Sequence, residues 1–417
     1  MPQSIESLIV KARDDFDLTR AEDQIRVRKL SEAFENHGID TVLKILEPDW
    51  ANAALEAKMA ALLAKSRYRL NKVSQPINIG VVFAMWGEQN RLLPASSENP
   101  NGENSLITKI DQLEWVTRDN PEIRWTLYAV DDGCPHGSAK IAKSVMEDHP
   151  LRERVCVLSL SESLPVDKGP LRNLENADNS RKAGAIILGA MRAIEDGAQA
   201  IIYTDADNSV HLGQIGLLLE PFLEWRRQVV IGNRKHPQSV LVKDAARWGK
   251  GIKTLRHMQR MAGKAIFSRG ILDTQAAFKL YGSDVLNKII ATPTVYDFSF
   301  DTDWILAALA EGLEIEQVPF AFIDSFAESA SITQGPMTTW ETLLFGLAKA
   351  VRRYGFDEGP ASEMCAVIED EIRDYRDLEN IINLLPPELE GASDETLGDP
   401  NTMAAENLRN WLRKTLN

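Results

Sequence analysis

Cysteine is scarce in this sequence. The 417 residues hold three, Cys134, Cys156 and Cys365, with no paired or metal-ligand spacing, which excludes a disulfide framework, makes a zinc site unexpected and suits a reducing compartment. An excess of positive charge is missing too. The formal net charge is −14, so bulk electrostatics argue against nucleic acid as a partner and leave only a local basic groove. No stretch approaches the ~18–20 uncharged apolar residues of a membrane-spanning helix. The opening Met-Pro-Gln-Ser-Ile-Glu-Ser lacks the blocks of a signal peptide. Internal repeats and low-complexity tracts are also absent. Together these absences predict a soluble cytoplasmic protein. The apolar fraction of 44% is ordinary for a globular chain, and the length suits one large α/β domain with helical additions, or two domains.

Up to residue 72 the chain reads as helices. Leu8, Val10, Phe16, Leu30, Phe34, Val42, Leu43 and Ile45 recur at roughly helical spacing, and 51–68 is rich in strong helix formers. No chemistry is visible there; packing or homo-oligomerisation is the expected role. From Pro76 strands alternate with helices. A β-rich run at 77–83 ends in Ala-Met-Trp-Gly-Glu88, a Pro-, Ser-, Asn- and Gly-rich loop covers 94–104, and a helix fits 105–118 through Leu106, Ile110, Leu113 and Val116. A second strand at 125–130 runs into Asp131-Asp132-Gly133. A helix at 138–148, a strand at 155–159 and a helix at 181–196 follow, then Ala198-Gln-Ala-Ile-Ile-Tyr-Thr-Asp205-Ala-Asp207.

This alternation predicts an α/β fold with a mainly parallel sheet and helices on both faces. Taken alone, Asp205 and Asp207 are better explained as solvated aspartates at a polar strand end. An extended strand, however, turns residues i and i+2 to one side, and two carboxylates facing together repel unless a cation or proton lies between them. In parallel sheets ligands bind beyond the carboxyl ends of the strands. Glu88, Asp131–Asp132 and Asp205/Asp207 each follow such an end. One shared acidic rim is therefore expected, and with it a divalent-metal site holding a phosphorylated ligand.

A helix at 212–226 and a strand at 229–232 lead to Asn233-Arg234-Lys235-His236. Lys243, Arg247, Lys250, Lys253, Arg256, Arg260, Lys264 and Arg269 form a local basic cluster. It reads as a site for a diphosphate or anionic acceptor or, for most of its members, as a solvated helix face. Arg234 stands apart because it directly follows a strand's end. Phe300-Asp301-Thr-Asp303-Trp304 opens a helix that Gly312 stops, and 313–318 reads as a late strand. Thr338-Thr-Trp-Glu341 fits a capping box. Leu343, Leu344, Leu347, Ala348, Val351 and Tyr354 then form an apolar stripe suited to core packing, with peripheral membrane contact as the rival reading. Residues 361–385 are expected as one charged helix, 386–400 as an acidic linker and 402–416 as a terminal helix.

In their order, over about residues 76–325, these motifs resemble glycosyltransferase family 2, nucleotide-sugar enzymes of the GT-A fold. Val81-Val-Phe-Ala-Met-Trp-Gly-Glu88 looks like the family's first strand and turn. Val130-Asp131-Asp132-Gly133 matches the Val-Asp-Asp-Gly that grips the nucleotide, although Cys134-Pro-His136 replaces the usual Ser-Thr-Asp after it. Asn179-Ser-Arg-Lys182-Ala-Gly184-Ala185 resembles Asn-x-Gly-Lys-Gly-x-Ala, with Arg181 and Ala183 in place of glycines. Asp205-Ala-Asp207 matches the Asp-x-Asp metal motif, and Ile231-Gly-Asn-Arg234 a Gly-Ser-Arg element. Asp273-Thr-Gln275-Ala-Ala-Phe278-Lys279 is similar to the Asp-Thr-Gln-Cys-Gly-Phe-Lys run of dolichyl-phosphate glucosyltransferases. Phe300-Asp301 resembles their Phe-Asp-Val-Glu segment. Polyprenyl-phosphate hexose synthases share this pattern, though no membrane span follows it here.

The resemblance implies a helical segment 1–72, a GT-A domain over 73–335 and a helical segment 336–417. It implies transfer of a hexose from a nucleoside-diphosphate sugar, of the UDP-glucose or GDP-mannose type, to a hydroxyl or phosphate acceptor that the sequence does not name. Asp131 or Asp132 would hold the base or ribose, and Asp207, helped by Asp205, would hold Mg2+ or Mn2+ against the diphosphate. Arg234 and Lys182 would offset charge on the leaving group. Glu88, Asp273 and Gln275 complete the substrate-binding candidates. Asp301 is the candidate general base and Asp303 its fallback; a phosphate acceptor would need no base. Inversion is expected, because some retaining GT-A families use a late histidine on the metal and none follows His257. His136 and His211 receive no role. The alternatives are a retaining transferase making a small soluble glycoside, a non-catalytic sugar-nucleotide sensor, and a sugar-phosphate nucleotidyltransferase, whose Gly-rich basic loop is missing from Ala84–Asn90.

Overall fold

A computed structural model of the chain describes residues 4–243, 249–292, 295–324 and 336–416. The chain falls into two compact units. The first comprises 1–243, 276–293 and 314–327, and the second 244–275, 294–313 and 328–417.

Seven strands of the first unit form one sheet: β1 (Ile77–Met85), β2 (Ile123–Asp131), β3 (Val155–Ser159), β4 (Ala200–Thr204), β5 (Val229–Gly232), β7 (Phe278–Gly282) and β8 (Ile315–Val318). The spatial order is β3-β2-β1-β4-β7-β5-β8. Only β7 runs against its neighbours, so the expected mainly parallel sheet is present. Two short strands, β6 (Val240–Val242) and β9 (Ala321–Ile323), pair separately. The expected strands at 155–159 and 229–232 coincide with β3 and β5.

The central strands are near-continuous apolar runs because both faces of the sheet are covered. Val81, Val82, Phe83, Leu127, Ala129, Val130, Ile201 and Ile202 are all buried. Each of the valine, leucine, isoleucine and phenylalanine side chains contributes about 1.5–3 kcal/mol by leaving water. Two further helices connect these strands, α5 (Ser105–Thr117) and α6 (Ser138–Met146); α7 (Ala183–Glu195) packs against β1 and β2. Small residues let α7 come close. At Gly189 a Cβ would fall 2.4 Å from Val82 Cγ1 and 2.9 Å from Val130 Cγ2, and at Gly80 one would fall 2.6 Å from Ala193 Cβ.

The N-terminal segment folds as α1 (Ile5–Val10), α2 (Ala21–His37), α3 (Ile39–Leu46) and α4 (Leu55–Leu70), within the same unit as the sheet. Helix α4 packs against α2 and against α8 (Ile215–Glu224). The Gly216 N–H of α8 donates to Ser66 Oγ at 2.9 Å, and a Cβ on Gly216 would lie 2.3 Å from the Ser66 carbonyl. Arg67, almost fully buried, pairs with Glu32, Glu35 and Asp119, its guanidinium 4.8 Å from the Trp115 ring centroid. The packing role expected of this segment is thus visible in its contacts.

The second unit is helical, with helices Ile252–Ala262, Phe300–Ala310, Pro336–Arg353, Pro360–Glu371, Tyr375–Ile381 and Ala405–Leu416 among its described residues. Leu343, Leu344, Leu347, Ala348 and Val351 are buried, so the apolar stripe serves the core. Three expectations need correction. Thr338 lies inside its helix rather than capping it, since the helix starts at Pro336 and the Thr338 carbonyl accepts from Thr342 Oγ1 at 3.0 Å. The single helix over 361–385 is broken, because Asp374 is extended (φ −162°) and caps a new helix by accepting from the Arg376 N–H at 2.9 Å. The acidic linker includes the short helix Pro387–Glu390 and a 3-10 turn, Asp394–Thr396, and it answers part of the basic cluster. Lys253 Nζ donates to the Ala392 carbonyl at 3.0 Å, and Arg256 and Arg260 pair with Asp394. Arg247 lies outside the described residues. Among the described residues no helix is long and apolar enough to cross a membrane.

Candidate active site

Beside β1 the strand order reverses, with β2 on one side and β4 on the other. Such a switch point opens a crevice beyond the strands' carboxyl ends. Met85 is in register with Asp131, and Phe83 with Thr204, so the loops after β1, β2 and β4 leave the sheet side by side. Asp131 ends β2, Glu88, Asp132 and Asp205/Asp207 sit on those loops, and Arg234 follows β5. The acidic rim expected from the sequence is present. One detail differs: β4 ends at Thr204, so Asp205 and Asp207 lie on the bend beyond the strand rather than on it.

Lys182 Nζ lies 2.5 Å from Asp205 Oδ1. Burial alone would raise the Asp205 pKa, but the Lys182 ammonium, with Arg234 and Lys109, holds it below the usual carboxylate value. Asp207 moves the other way. Desolvation first, then the charges of Asp205 and Glu103, push it up to about 6. Asp207 Oδ1 accepts from the Ser209 N–H at 3.0 Å, and its backbone carbonyl accepts from the Lys109 ammonium.

The bend rests on a buried polar network. Arg91 donates to Glu88 Oε2 and Glu103 Oε1, both at 2.9 Å, and Glu103 Oε2 accepts from the Asn208 N–H at 2.9 Å. Glu88 is pushed up to about 7 by burial, against the pull of Arg91. Sequence reasoning missed Arg91, Glu103, Lys109 and Asn208. Only Lys109 left a signal: it falls three residues after Leu106 and four before Leu113, on the apolar stripe of α5, and it is fully buried.

The aspartate pair after β2 holds two helices. Asp131 Oδ1 accepts from the Gly133 and Cys134 N–H groups at 3.0 and 2.9 Å, and its Oδ2 from Ala139 at 3.0 Å in the first turn of α6. Asp132 Oδ1 accepts from Ser180 Oγ at 2.5 Å and its Oδ2 from the Lys182 N–H at 2.6 Å, where α7 begins. Burial pushes Asp132 up to about 6, and these hydrogen bonds oppose that rise. A ligand contact would use the lone pairs that remain.

Asp205 and Asp207 are hard oxygen donors whose mutual repulsion a divalent cation would relieve. Among the described residues no group of three or more His, Cys, Asp or Glu is arranged to hold a metal by itself. Two carboxylates suit Mg2+ or Mn2+ that completes its shell with phosphate oxygens and water. The residues therefore fit a cation shared with a ligand rather than a closed protein cage.

The remaining candidates belong to the second unit. Asp273 and Gln275 lie in the segment after helix Lys264–Phe267. Asp301 and Asp303 occupy the first turn of Phe300–Ala310, where the helix dipole favours negative charge. Asp303 accepts from Arg353 and from the Tyr354 hydroxyl at 3.2 Å, and burial pushes it up to about 6. In the first unit, the Arg234 guanidinium lies 5.2 Å from the Phe322 ring centroid. His211 is a core residue: its Nδ1 accepts from the Gly213 N–H at 2.9 Å, its ring meets Trp115, and burial pushes its pKa well below the usual imidazole value.

Comparison with known proteins agrees with this geometry. The model of the family described as glycosyl transferase family 2 matches residues 110–290. A dolichyl-phosphate beta-glucosyltransferase of Trichomonas vaginalis is 22% identical over 284 residues, 67% of this chain and 73% of that one. A dolichyl-phosphate beta-glucosyltransferase of Drosophila melanogaster is 25% identical over 261 residues, 61% and 71% of the two chains. Over these residues the chain is similar to glycosyltransferase family 2.

Its mainly parallel seven-stranded sheet flanked by helices agrees with the GT-A fold that the motif resemblance implied. Among solved structures, mannosyl-3-phosphoglycerate synthase from Rubrobacter xylanophilus is similar at TM-score 0.44 and 14% identity, covering 70% of this chain and 76% of its own. Glucosyl-3-phosphoglycerate synthase from Mycobacterium tuberculosis, in complex with Mn2+, UDP and glucosyl-3-phosphoglycerate, gives TM-score 0.44 and 13% identity, with 69% and 83% covered.

Proposed function

We propose that this glycosyltransferase moves a hexose from a nucleoside-diphosphate sugar, of the UDP-glucose or GDP-mannose type, to a hydroxyl or phosphate acceptor, with inversion at the anomeric carbon. One observation carries the reading. Two carboxylates, Asp205 and Asp207, share a strand-end rim with Lys182 and Arg234, whose charges act on Asp205. A diphosphate with its cation matches that pattern, since carboxylates take the metal and the side-chain cations take phosphate oxygens. Bound there, Mg2+ or Mn2+ would offset charge growing on the diphosphate as the glycosidic bond breaks. Arg234 and Lys182 would add to that stabilisation from fixed positions.

Asp131 and Asp132, already ordered by the backbone amides they receive, would offer remaining lone pairs to base or ribose. Glu88 would act through Arg91 on the loop that carries Asp207. Asp273 and Gln275 are proposed contacts of sugar or acceptor. Asp301 is the proposed base, taking the proton of an acceptor hydroxyl; toward a phosphate acceptor it would only orient. The relatives' names join a glucosyl group to dolichyl phosphate, which supports a phosphate acceptor. A cytoplasmic location, peripheral membrane contact and homo-oligomerisation through 1–72 and 336–417 belong to the same proposal.

A thermal-shift panel of UDP-, GDP- and ADP-sugars with and without Mn2+ tests the reading, because a ligand of the folded state raises its apparent stability. One donor is expected to raise the melting temperature in a metal-dependent way. No shift with any donor in the presence of Mn2+ would remove the basis for the proposal.

A further inference from the structure

Lys182 stands in an unusual place for its residue type. Its φ is +80°, in the left-handed region that lysine rarely adopts. Local hydrogen bonds hold it there. The Lys182 N–H donates to Asp132 Oδ2 at 2.6 Å, and the Ser180 hydroxyl donates to Asp132 Oδ1 at 2.5 Å while accepting from the Gly184 N–H at 3.1 Å. Gly184 is required by this closeness, since a Cβ on it would fall 2.6 Å from Ser180 Oγ. The next residue starts α7, which the small residues of the interface press onto the sheet. The root of the side chain is thus fixed relative to the end of β4, and Nζ reaches Asp205 Oδ1 at 2.5 Å with only 19% of the lysine side chain exposed.

The ammonium therefore occupies an oxygen of the carboxylate pair that suits a divalent cation. Two cations on one carboxylate oxygen would sit within a few ångströms of each other and repel. We propose that Lys182 is a built-in counter-ion of Asp205 that the metal displaces, and that the displaced ammonium passes to the diphosphate arriving with the metal.

The inference rests on the metal–diphosphate reading above and adds a coupling to it. Metal alone would compete with Lys182 for Asp205 and bring the ammonium no phosphate oxygen. Metal together with a nucleoside diphosphate supplies phosphate oxygens in exchange. The two ligands then bind cooperatively, with Lys182 carrying the coupling, and the factor is the same whichever binds first.

Mn2+ binding, followed by electron paramagnetic resonance of the free ion, tests this with and without UDP or GDP. The proteins are the wild type, Lys182→Met and the charge-conserving Lys182→Arg. For the wild type, nucleotide is expected to tighten Mn2+ binding by about tenfold or more. The Met variant should bind Mn2+ alone several-fold more tightly than the wild type, and should lose most of the nucleotide effect. The Arg variant should keep it. Lys182→Gln replaces the Met variant if melting in EDTA shows that the latter does not fold. Unchanged or weaker binding of Mn2+ alone by the neutral variant, or undiminished coupling, overturns the exchange and leaves the transferase reading standing. A wild type that binds neither Mn2+ nor nucleotide overturns both.

Discussion

Asp132 Oδ2 accepts the Lys182 N–H at 2.6 Å, so a carboxylate at the end of β2 anchors the start of α7. The same side chain receives the Ser180 hydroxyl, and burial has raised its pKa to about 6. Replacing it strands a hydroxyl and an amide that the sheet's edge shelters. Asp132→Ala is expected to cost about 1–3 kcal/mol, read as a lower urea midpoint without ligand. Asp132→Asn, which keeps one acceptor, should cost less.

The contact of α7 with the sheet can be tested separately. A methyl group at Gly189 would lie 2.4 Å from Val82 Cγ1, in a core that has no slack there. Gly189→Ala should therefore destabilise by about 1–3 kcal/mol although alanine is the better helix former. Urea titration checks this; a stabilised variant would mean that α7 can move away from β1.

Asp303 makes stability depend on pH. Its pKa is raised from the ordinary 3.8 to about 6, burial outweighing Arg353. A carboxyl whose folded pKa lies above its unfolded one binds its proton more tightly when folded. Its contribution is fully present below about pH 4 and is lost as pH rises through about 6. We expect the stability of the wild type relative to Asp303→Asn to fall by about 2 kcal/mol between pH 4 and pH 7. Chemical denaturation of both proteins at the two pH values measures it, and a constant difference would contradict the burial argument.

Much of this was legible in the sequence, and the failures have physical causes. Apolar β-rich runs next to charge mark β3 and β5 to the residue, although only β5 is buried throughout and β3, at the end of the sheet, is partly covered. Asp205 and Asp207 were legible because parallel strands deliver their ends to one rim. The network beneath them was not. Arg91 and Glu103 sit in a loop whose composition says only that it is a loop, and their pairing depends on contacts across the fold. The helix-capping work of Asp131 and Asp132 was hidden for the same reason: their partners include Ala139 and Lys182, which only the folded chain brings near. At Asp374 the sequence pattern reads as one more charged position inside a helix, whereas the aspartate caps a new one.

Asp301 carries the proposed proton transfer. With a hydroxyl acceptor, Asp301→Asn should lower kcat by about 10²–10⁴-fold and leave donor binding unchanged. With a phosphate acceptor the loss should be small, so steady-state kinetics with both acceptor types distinguish a base from an orienting group.

Calorimetric titration of UDP- and GDP-sugars into the wild type and Asp207→Ala, each with Mn2+, tests most directly whether the carboxylate pair holds a metal and diphosphate. The wild type is expected to bind one donor in a metal-dependent way. Asp207→Ala should weaken that binding by more than about tenfold while keeping its melting temperature without ligand. Metal-dependent binding that survives the loss of Asp207 undiminished would contradict the assignment of this rim as the donor site.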